Sequence, residues 1–271
     1  MATSMTDEQS KKVIAYYQKE AANYDKQYEA PFFKEIYDKL TWRYIEPYLP
    51  HAGVVLDAGG GTGKWCIPVA KKGLSVVVCD ISQDMLNVAS LKVKENGLDG
   101  KVSFRQGDIC SLPFGDNSFD FVLAEGDPIS YCGNPDLAVR ELGRVLRPNC
   151  YLSAGVDSLY PTLRRTLEQP EVDLNQFHKV YKEKRLFAKN WGFHCWLFTP
   201  EDLKQLFTKH GFKVVKIVGK PIMFRSRPET EAVFKDPAKV QQMLEIEFKF
   251  CEEASIVGYG GHLHIVAQKK A

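Results

Sequence analysis

Five short runs rich in β-branched and aromatic residues recur between residues 54 and 156. They read VVL (54–56), SVVVC (75–79), VSF (102–104), FDFVLA (119–124) and YLSAGV (151–156). Each is mainly apolar, as strands buried on both faces are. The stretches between them, 63–72, 83–96 and about 135–147, carry helical spacing. Strand alternating with helix predicts a parallel sheet wrapped by helices. A chain of 271 residues is ample to bury such a core.

The flanks have a different texture. Residues 7–29 and 32–48 are helical in pattern, and Pro47 and Pro50 close that region. Residues 157–199 predict two helices and an aromatic cluster, Trp191 to Phe198. Thr199-Pro200 reads as a helix start that runs to Gly211. A strand over 214–219, a helix over 237–254 and a last strand over 262–268 follow. The expected organisation is one domain. It has a helical lid (7–48), a binding core (50–156), an insertion (157–199) and C-terminal strands with a helix (200–271).

Charge and cysteines narrow the partners. A formal net charge of +2 with no dense Lys/Arg block argues against nucleic acid. No apolar run approaches the length of a membrane span, and the N-terminus lacks a charged-then-apolar layout, so a soluble cytoplasmic protein is expected. The seven cysteines are scattered without a C-x-x-C pair, so neither a metal site nor a disulfide framework is expected.

The first strand runs into Asp57-x-Gly59-x-Gly61-x-Gly63. In open α/β sheets ligands bind beyond the carboxyl ends of the strands, and a glycine loop there lets a ligand touch backbone. The spacing is not G-x-G-x-x-G, because Lys64 and Cys66 follow. It is not a phosphate loop either, because Trp65 follows Gly63-Lys64. The second strand ends in Asp80, placed to accept both hydroxyls of a ribose. Asp108 follows the third strand and could accept from an amino group such as that of adenine. Glu125-Gly126-Asp127 follow the fourth, with Ser130 and Tyr131 beyond. One acid at a strand end reads as a turn or cap; acids after three successive strands beside a glycine loop read as a binding site.

This set resembles the class I S-adenosylmethionine-dependent methyltransferases, in particular the small-molecule, type 11-like branch. VLDAGGGTGKW is similar to their glycine-rich loop, VVVCDIS to their ribose-side strand end and GDICSLPF to their adenine-side acid. FDFVLAEGDPISY and ELGRVLRPNCYLSAG correspond to their fourth strand, following helix and fifth strand. One departure is Asn149-Cys150, where the family has a glycine pair. The resemblance implies a Rossmann-like, doubly wound, seven-stranded and mostly parallel sheet with its last strand antiparallel. To this it adds an N-terminal helical cap and a helical insertion after the fifth strand. It also implies S-adenosylmethionine as cofactor and a small-molecule acceptor as partner. By position, Gly59, Gly61 and Gly63 would lie against the methionine end. Asp57 would fix the loop or reach the amino group through water, and Asp80 would bind the ribose. Ile81 would lie on the adenine, Asp108 would hold its amine with Ile109 alongside, and Glu125 would sit near the sulfonium and amino group.

Methyl transfer from a sulfonium needs an acceptor held about 3 Å away in line, and a dry site. Tyr16 and Tyr24 of the N-terminal segment are the expected lid tyrosines over the methionine end. On the acceptor side His194 is the candidate general base and Tyr131 a second candidate. His262 and His264 share one face of the last strand, from which one could reach the pocket. A protein or nucleic-acid methyltransferase, and a binding protein of this fold without catalysis, are the alternative readings.

Overall fold

The computed structural model describes residues 5–225 and 228–271. Helix α1 (Met5–Glu20) passes into a 3-10 segment, Ala21–Tyr28. A π-helical turn, Phe33–Tyr37, then leads directly into α2 (Asp38–Ile45). The alternating core follows as β1 (Val54–Ala58), α3 (Cys66–Lys71), β2 (Ser75–Asp80), α4 (Gln83–Glu95), β3 (Val102–Gln106) and β4 (Phe119–Ala124). A short α5 (Pro128–Tyr131) and α6 (Pro135–Val145) lead to β5 (Leu146–Asp157). Beyond it lie α7 (Leu159–Leu167), α8 (Leu174–Glu183), β6 (Arg185–Ala188), β7 (Phe193–Trp196), α9 (Pro200–Lys209), β8 (Phe212–Lys220), α10 (Pro237–Phe250) and β9 (His262–Lys269).

Seven strands form one sheet in the order β3-β2-β1-β4-β5-β9-β8, and β6 pairs with β7 in a separate hairpin. β9 runs antiparallel to both β5 and β8, while the pairs from β3 across to β5 are parallel. The strand order reverses between β1 and β4, the crevice where ligands bind in such sheets. Strand alternation divides the core between the two faces. Leu56, Val122 and Leu152 pack with Leu142 and Phe207 on one face. Val55, Phe121 and Leu123 pack with Val69, Leu86 and Ile45 on the other.

Local chemistry sets the boundaries. Ser82 caps α4, its hydroxyl accepting the Met85 N–H at 3.4 Å. Thr199 and Asp202 form a capping box at α9 with Pro200 in the first turn, as the sequence predicts. Asn149 occupies the left-handed region at φ 64°, a conformation asparagine tolerates. Asn149 and Cys150 lie in an irregular stretch of β5, where the register with β4 shifts between the Phe119–Leu146 and Phe121–Tyr151 pairs; from Tyr151 to Ala154 the pairing is regular. Two expectations need correction. The insertion after β5 is not wholly helical, since its aromatic cluster lies on the β6–β7 hairpin, turned through Gly192 at φ 78°. The helix expected to reach residue 254 ends at Phe250.

Candidate active site

The loop after β1 is fixed to the end of β2. Gly59 and Gly60 donate to the Cys79 carbonyl at 2.7 and 3.3 Å. Gly59, Gly61 and Gly63 have φ of 71°, 51° and 78°, values that favour glycine. Gly60 has ordinary φ but no room: a Cβ there would lie 2.8 Å from Asp57 Cγ and from Val78 Cγ1. Gly59, Gly60 and Gly61 line a deep cavity at the crevice. Gly63 does not, and a Cβ on it would meet Cys66 Sγ at 3.1 Å and Ala89 of α4 at 3.2 Å. Its small size serves close packing of loop on helix, whereas the sequence placed it against the ligand.

The sheet sets out the acids in strand order along one edge of this cavity. Asp108 follows β3, with Oδ2 accepting from Ser10 at 2.7 Å and Oδ1 from the Cys110 N–H at 2.8 Å. Asp80 ends β2, with Oδ2 accepting from the Gly61 N–H and Oδ1 from the Ser82 N–H, both at 2.9 Å. Both acids line the cavity with Ile81 and Ile109 between them. Each carboxylate oxygen can accept a further bond. Burial raises the Asp80 carboxyl above its ordinary value.

Asp57 lies beneath the loop, fully buried, and neither carboxylate oxygen has a hydrogen-bond partner. Burial first, then Asp80 and Glu125, push its carboxyl up to about 7. Orphaned buried polar atoms are uncommon and point to a missing partner. A cradle of glycine backbone with Asp80 and Asp108 beside it, all lining the cavity, fits a ligand carrying a ribose and an adenine, while Asp57 lies beneath the loop and outside that lining.

Glu125, expected beside the sulfonium, lines the cavity, with both carboxylate oxygens held by protein. Oε2 accepts from Lys220 Nζ at 2.8 Å, and Oε1 from Ser153 Oγ at 2.8 Å. Lys220 also reaches His264 Nδ1 and Thr41 Oγ1, each at 3.0 Å. An ammonium cannot accept, so His264 Nδ1 accepts from it and the Nε2–H donates to Ser153 Oγ at 3.0 Å. Burial alone would raise the Glu125 carboxyl, but the Lys220 ammonium outweighs it and holds it far below the usual carboxylate range. The open carboxylate on this side belongs to Asp127, in the left-handed turn after β4 at φ 67°. Its Oδ1 is buried without a partner. His262 Nε2 stands 3.4 Å from Asp127 Oδ2 and 3.6 Å from Asp157 Oδ1. The sequence pairs His262 with His264 on one face; only His262 lines the cavity.

The N-terminal segment covers this edge with aromatic rings in edge-to-face contact. Tyr17 meets Tyr24 at 5.7 Å, Tyr24 meets Tyr28 at 5.4 Å, and Tyr37 meets His262 at 5.5 Å. Thr62 Oγ1 and Lys92 Nζ both bind Asp25, at 2.6 and 2.8 Å, so the segment is tied to the glycine loop. Lys64 pairs with Asp38 at 2.6 Å, and Trp65 stacks on Trp42 at 6.5 Å, which gives both residues a fastening role. Tyr24 lines the cavity, as the sequence reading placed it; Tyr16 does not. Tyr16 packs on Trp191 and Phe193 at 6.1 and 5.6 Å, and Tyr17 stands at the wall instead. Helical phase decides this: Gln9, Val13 and Tyr17 recur every four residues on one face.

On the acceptor side Tyr131 lines the cavity and packs on Phe193 at 5.7 Å. His194 does not line it. On β7 the buried residues are Phe193 and Cys195, so alternation turns His194 away. Its ring packs on Phe187 at 5.0 Å. Tyr28, Tyr37, Asp157 and Lys220 carry no assignment from the sequence, and Asp127, noted beyond the fourth strand, has no role assigned there. Asp127 and Asp157 had the same signal as Asp80, an acid just past a strand.

Residues 55–149 match the family described as Methyltransferase domain. Over 173 residues the chain is 32% identical to a ubiquinone/menaquinone biosynthesis C-methyltransferase of a Shewanella species, covering 59% of this chain. The alignment spans 66% of that relative, just under two thirds of its length. The tRNA 5-carboxymethoxyuridine methyltransferase of Escherichia coli is 22% identical over 243 residues, covering 85% of this chain and 87% of that one. Among solved structures, a SAM-dependent methyltransferase from Methanosarcina mazei superposes with a TM-score of 0.61 at 23% identity, over 84% of this chain and 97% of that one. At that identity the likeness is one of fold.

Proposed function

The chain belongs to the class I S-adenosylmethionine-dependent methyltransferases, and from that premise we propose that it methylates a small-molecule acceptor by in-line displacement. The observation that carries the reading is the order of groups along one cavity edge: Asp108, Asp80, the glycine loop, then Asp127 and His262. Asp108 would hold the adenine amine, with Ile81 and Ile109 against the ring, and Asp80 the ribose hydroxyls. The backbone of Gly59, Gly60 and Gly61 would receive the methionine end, with Asp57 beneath it. When bound, S-adenosylmethionine supplies a methyl group already activated on a cationic sulfur. The remaining tasks, orienting the acceptor and excluding water, fall to this chain's own residues. Tyr17, Tyr24, Tyr28 and Tyr37 roof the edge, and Tyr131 with Asp127 and His262 faces the acceptor.

A roofed cavity and a formal net charge of +2 favour a small acceptor over a polyanion. The competing reading is a nucleic-acid acceptor, favoured by the coverage of the tRNA-modifying relative. No helix among the described residues is long and apolar enough to cross a membrane, and we place the reaction in the cytoplasm. Calorimetry with S-adenosylhomocysteine tests the donor site. Release of S-adenosylhomocysteine is then compared with quinols, phenols, amines and total tRNA as acceptors. Turnover with a small acceptor is expected. Turnover with tRNA alone would overturn the acceptor reading, and absence of donor binding would overturn the whole of it.

A further inference from the structure

We propose that Asp127, Asp157 and His262 form a site for a divalent transition-metal ion at the acceptor end of the cavity. The three come from separate segments that the sheet makes neighbours. Asp157 ends β5, His262 begins β9 directly opposite it, and Asp127 follows the adjoining β4. One ligand atom from each lies within 4.8 Å of the others.

The spacing is wrong for hydrogen bonds and right for coordination. His262 Nε2 is 3.4 Å from Asp127 Oδ2 and 3.6 Å from Asp157 Oδ1, beyond the usual N–H···O range. Ligand bonds of about 2.1 Å in a tetrahedron put ligand atoms about 3.4 Å apart. A second observation is independent of the cluster's shape. The Asp127 side chain is only 8% exposed, yet its Oδ1 has no partner. Buried charge requires a counter-charge. Lys220, the buried ammonium nearby, is committed to Glu125, and no described residue forms a salt bridge from Lys or Arg to Asp127 or Asp157.

Two carboxylates and one imidazole would neutralise a divalent ion, and the mixed O and N set suits manganese or zinc better than calcium. Asp127 and His262 face the donor cavity, while Asp157 faces the adjoining cleft beside Arg165 and Trp191. An ion held here would keep coordination positions open to the cavity. If the proposed methyl transfer holds, a heteroatom of the acceptor would occupy one of them.

The test uses the full chain, stripped with a chelator and titrated with Mn2+ by calorimetry and electron paramagnetic resonance; Mn2+ avoids the thiols. One ion per chain is expected in the wild type. Affinity should fall by at least about tenfold in Asp157→Asn and in His262→Gln, while the S-adenosylhomocysteine affinity of Asp157→Asn, whose residue lies outside the donor cavity, stays within about twofold of wild type. His262 is the more exposed ligand and provides the second variant should Asp157→Asn not fold. No Mn2+ binding by the wild type, or binding unchanged in His262→Gln, would overturn the site. The readout is ion binding alone, so a chain that binds Mn2+ but transfers no methyl group would uphold this inference and overturn the functional one.

Discussion

Lys220 Nζ and Glu125 Oε2 lie 2.8 Å apart with each side chain 1% exposed. The pair ties the end of β8 to the end of β4 across β9 and β5. Removing one partner strands a buried charge; removing both does not. Lys220→Met is expected to cost roughly 3–5 kcal/mol, and Lys220→Met with Glu125→Gln should recover much of that. Urea denaturation of the two variants checks it. A double variant no more stable than the single would show that the pair is not what holds these strand ends.

Asp80 spends one lone pair per oxygen on the Gly61 and Ser82 N–H groups and turns the rest to the cavity. Charge-assisted bonds contribute roughly 1.5–3 kcal/mol each. Asp80→Ala is therefore expected to weaken S-adenosylhomocysteine binding by about 10- to 100-fold. Calorimetry measures it, and an unchanged affinity would remove Asp80 from the ligand site.

Asp57 makes stability depend on pH. Its carboxyl rises from the ordinary 3.8 to about 7 in the fold, so the folded state favours the protonated form. The ionised form therefore destabilises the fold. The cost is absent well below 3.8, grows as pH rises, and is complete above about 7. Asp57→Asn should thus be more stable than wild type at pH 8.5, by about 1–3 kcal/mol, and much less so at pH 5. Thermal unfolding at both values tests the sign. A gain larger at pH 5 would contradict it.

The donor half was legible because each of its parts is local in the sequence. A glycine loop or an acid directly follows a strand, and β1, β2 and β3 lie side by side. The acceptor half is not local. Asp127, Asp157 and His262 meet only because β4, β5 and β9 are adjacent, and that order is set by pairing across the chain. The absence of cysteine pairs says nothing about an Asp–Asp–His arrangement of this kind. Other differences turn on phase. One residue along α1 separates Tyr16 from Tyr17, and one along β7 separates His194 from Phe193. A composition-level reading finds the aromatic cluster but not which side of it faces in.

Gly60, the loop glycine to which the sequence assigns no ligand contact, is closely confined in the structure. A Cβ there would sit 2.8 Å from both Asp57 Cγ and Val78 Cγ1. Gly60→Ala should cost about 1–3 kcal/mol and weaken donor binding as the loop shifts. Gly100→Ala, where nothing lies within 4 Å, should change stability by no more than about 0.5 kcal/mol. Comparing the two by denaturation and calorimetry separates confinement at the loop from the general effect of replacing a glycine.

Gln9 holds the lid. It is 4% exposed, and its Nε2 donates to the Tyr131 carbonyl at 2.9 Å and to the His194 carbonyl at 2.6 Å. Its Oε1 accepts from the His194 N–H at 3.3 Å. One amide thus satisfies backbone groups on the free edge of β7 and at α5, both beside the acceptor end. Gln9→Ala leaves those groups without their partner, a cost of about 1–3 kcal/mol. That loss should fall on α1 rather than on the sheet. Hydrogen exchange over residues 8–28 should accelerate, the Michaelis constant for the donor should rise, and exchange in β1 and β4 should stay slow. Acceleration spread evenly over the sheet would mean that Gln9 supports the whole fold. Unchanged exchange in α1 would mean that the aromatic contacts of Tyr17 and Tyr24 hold the lid without it.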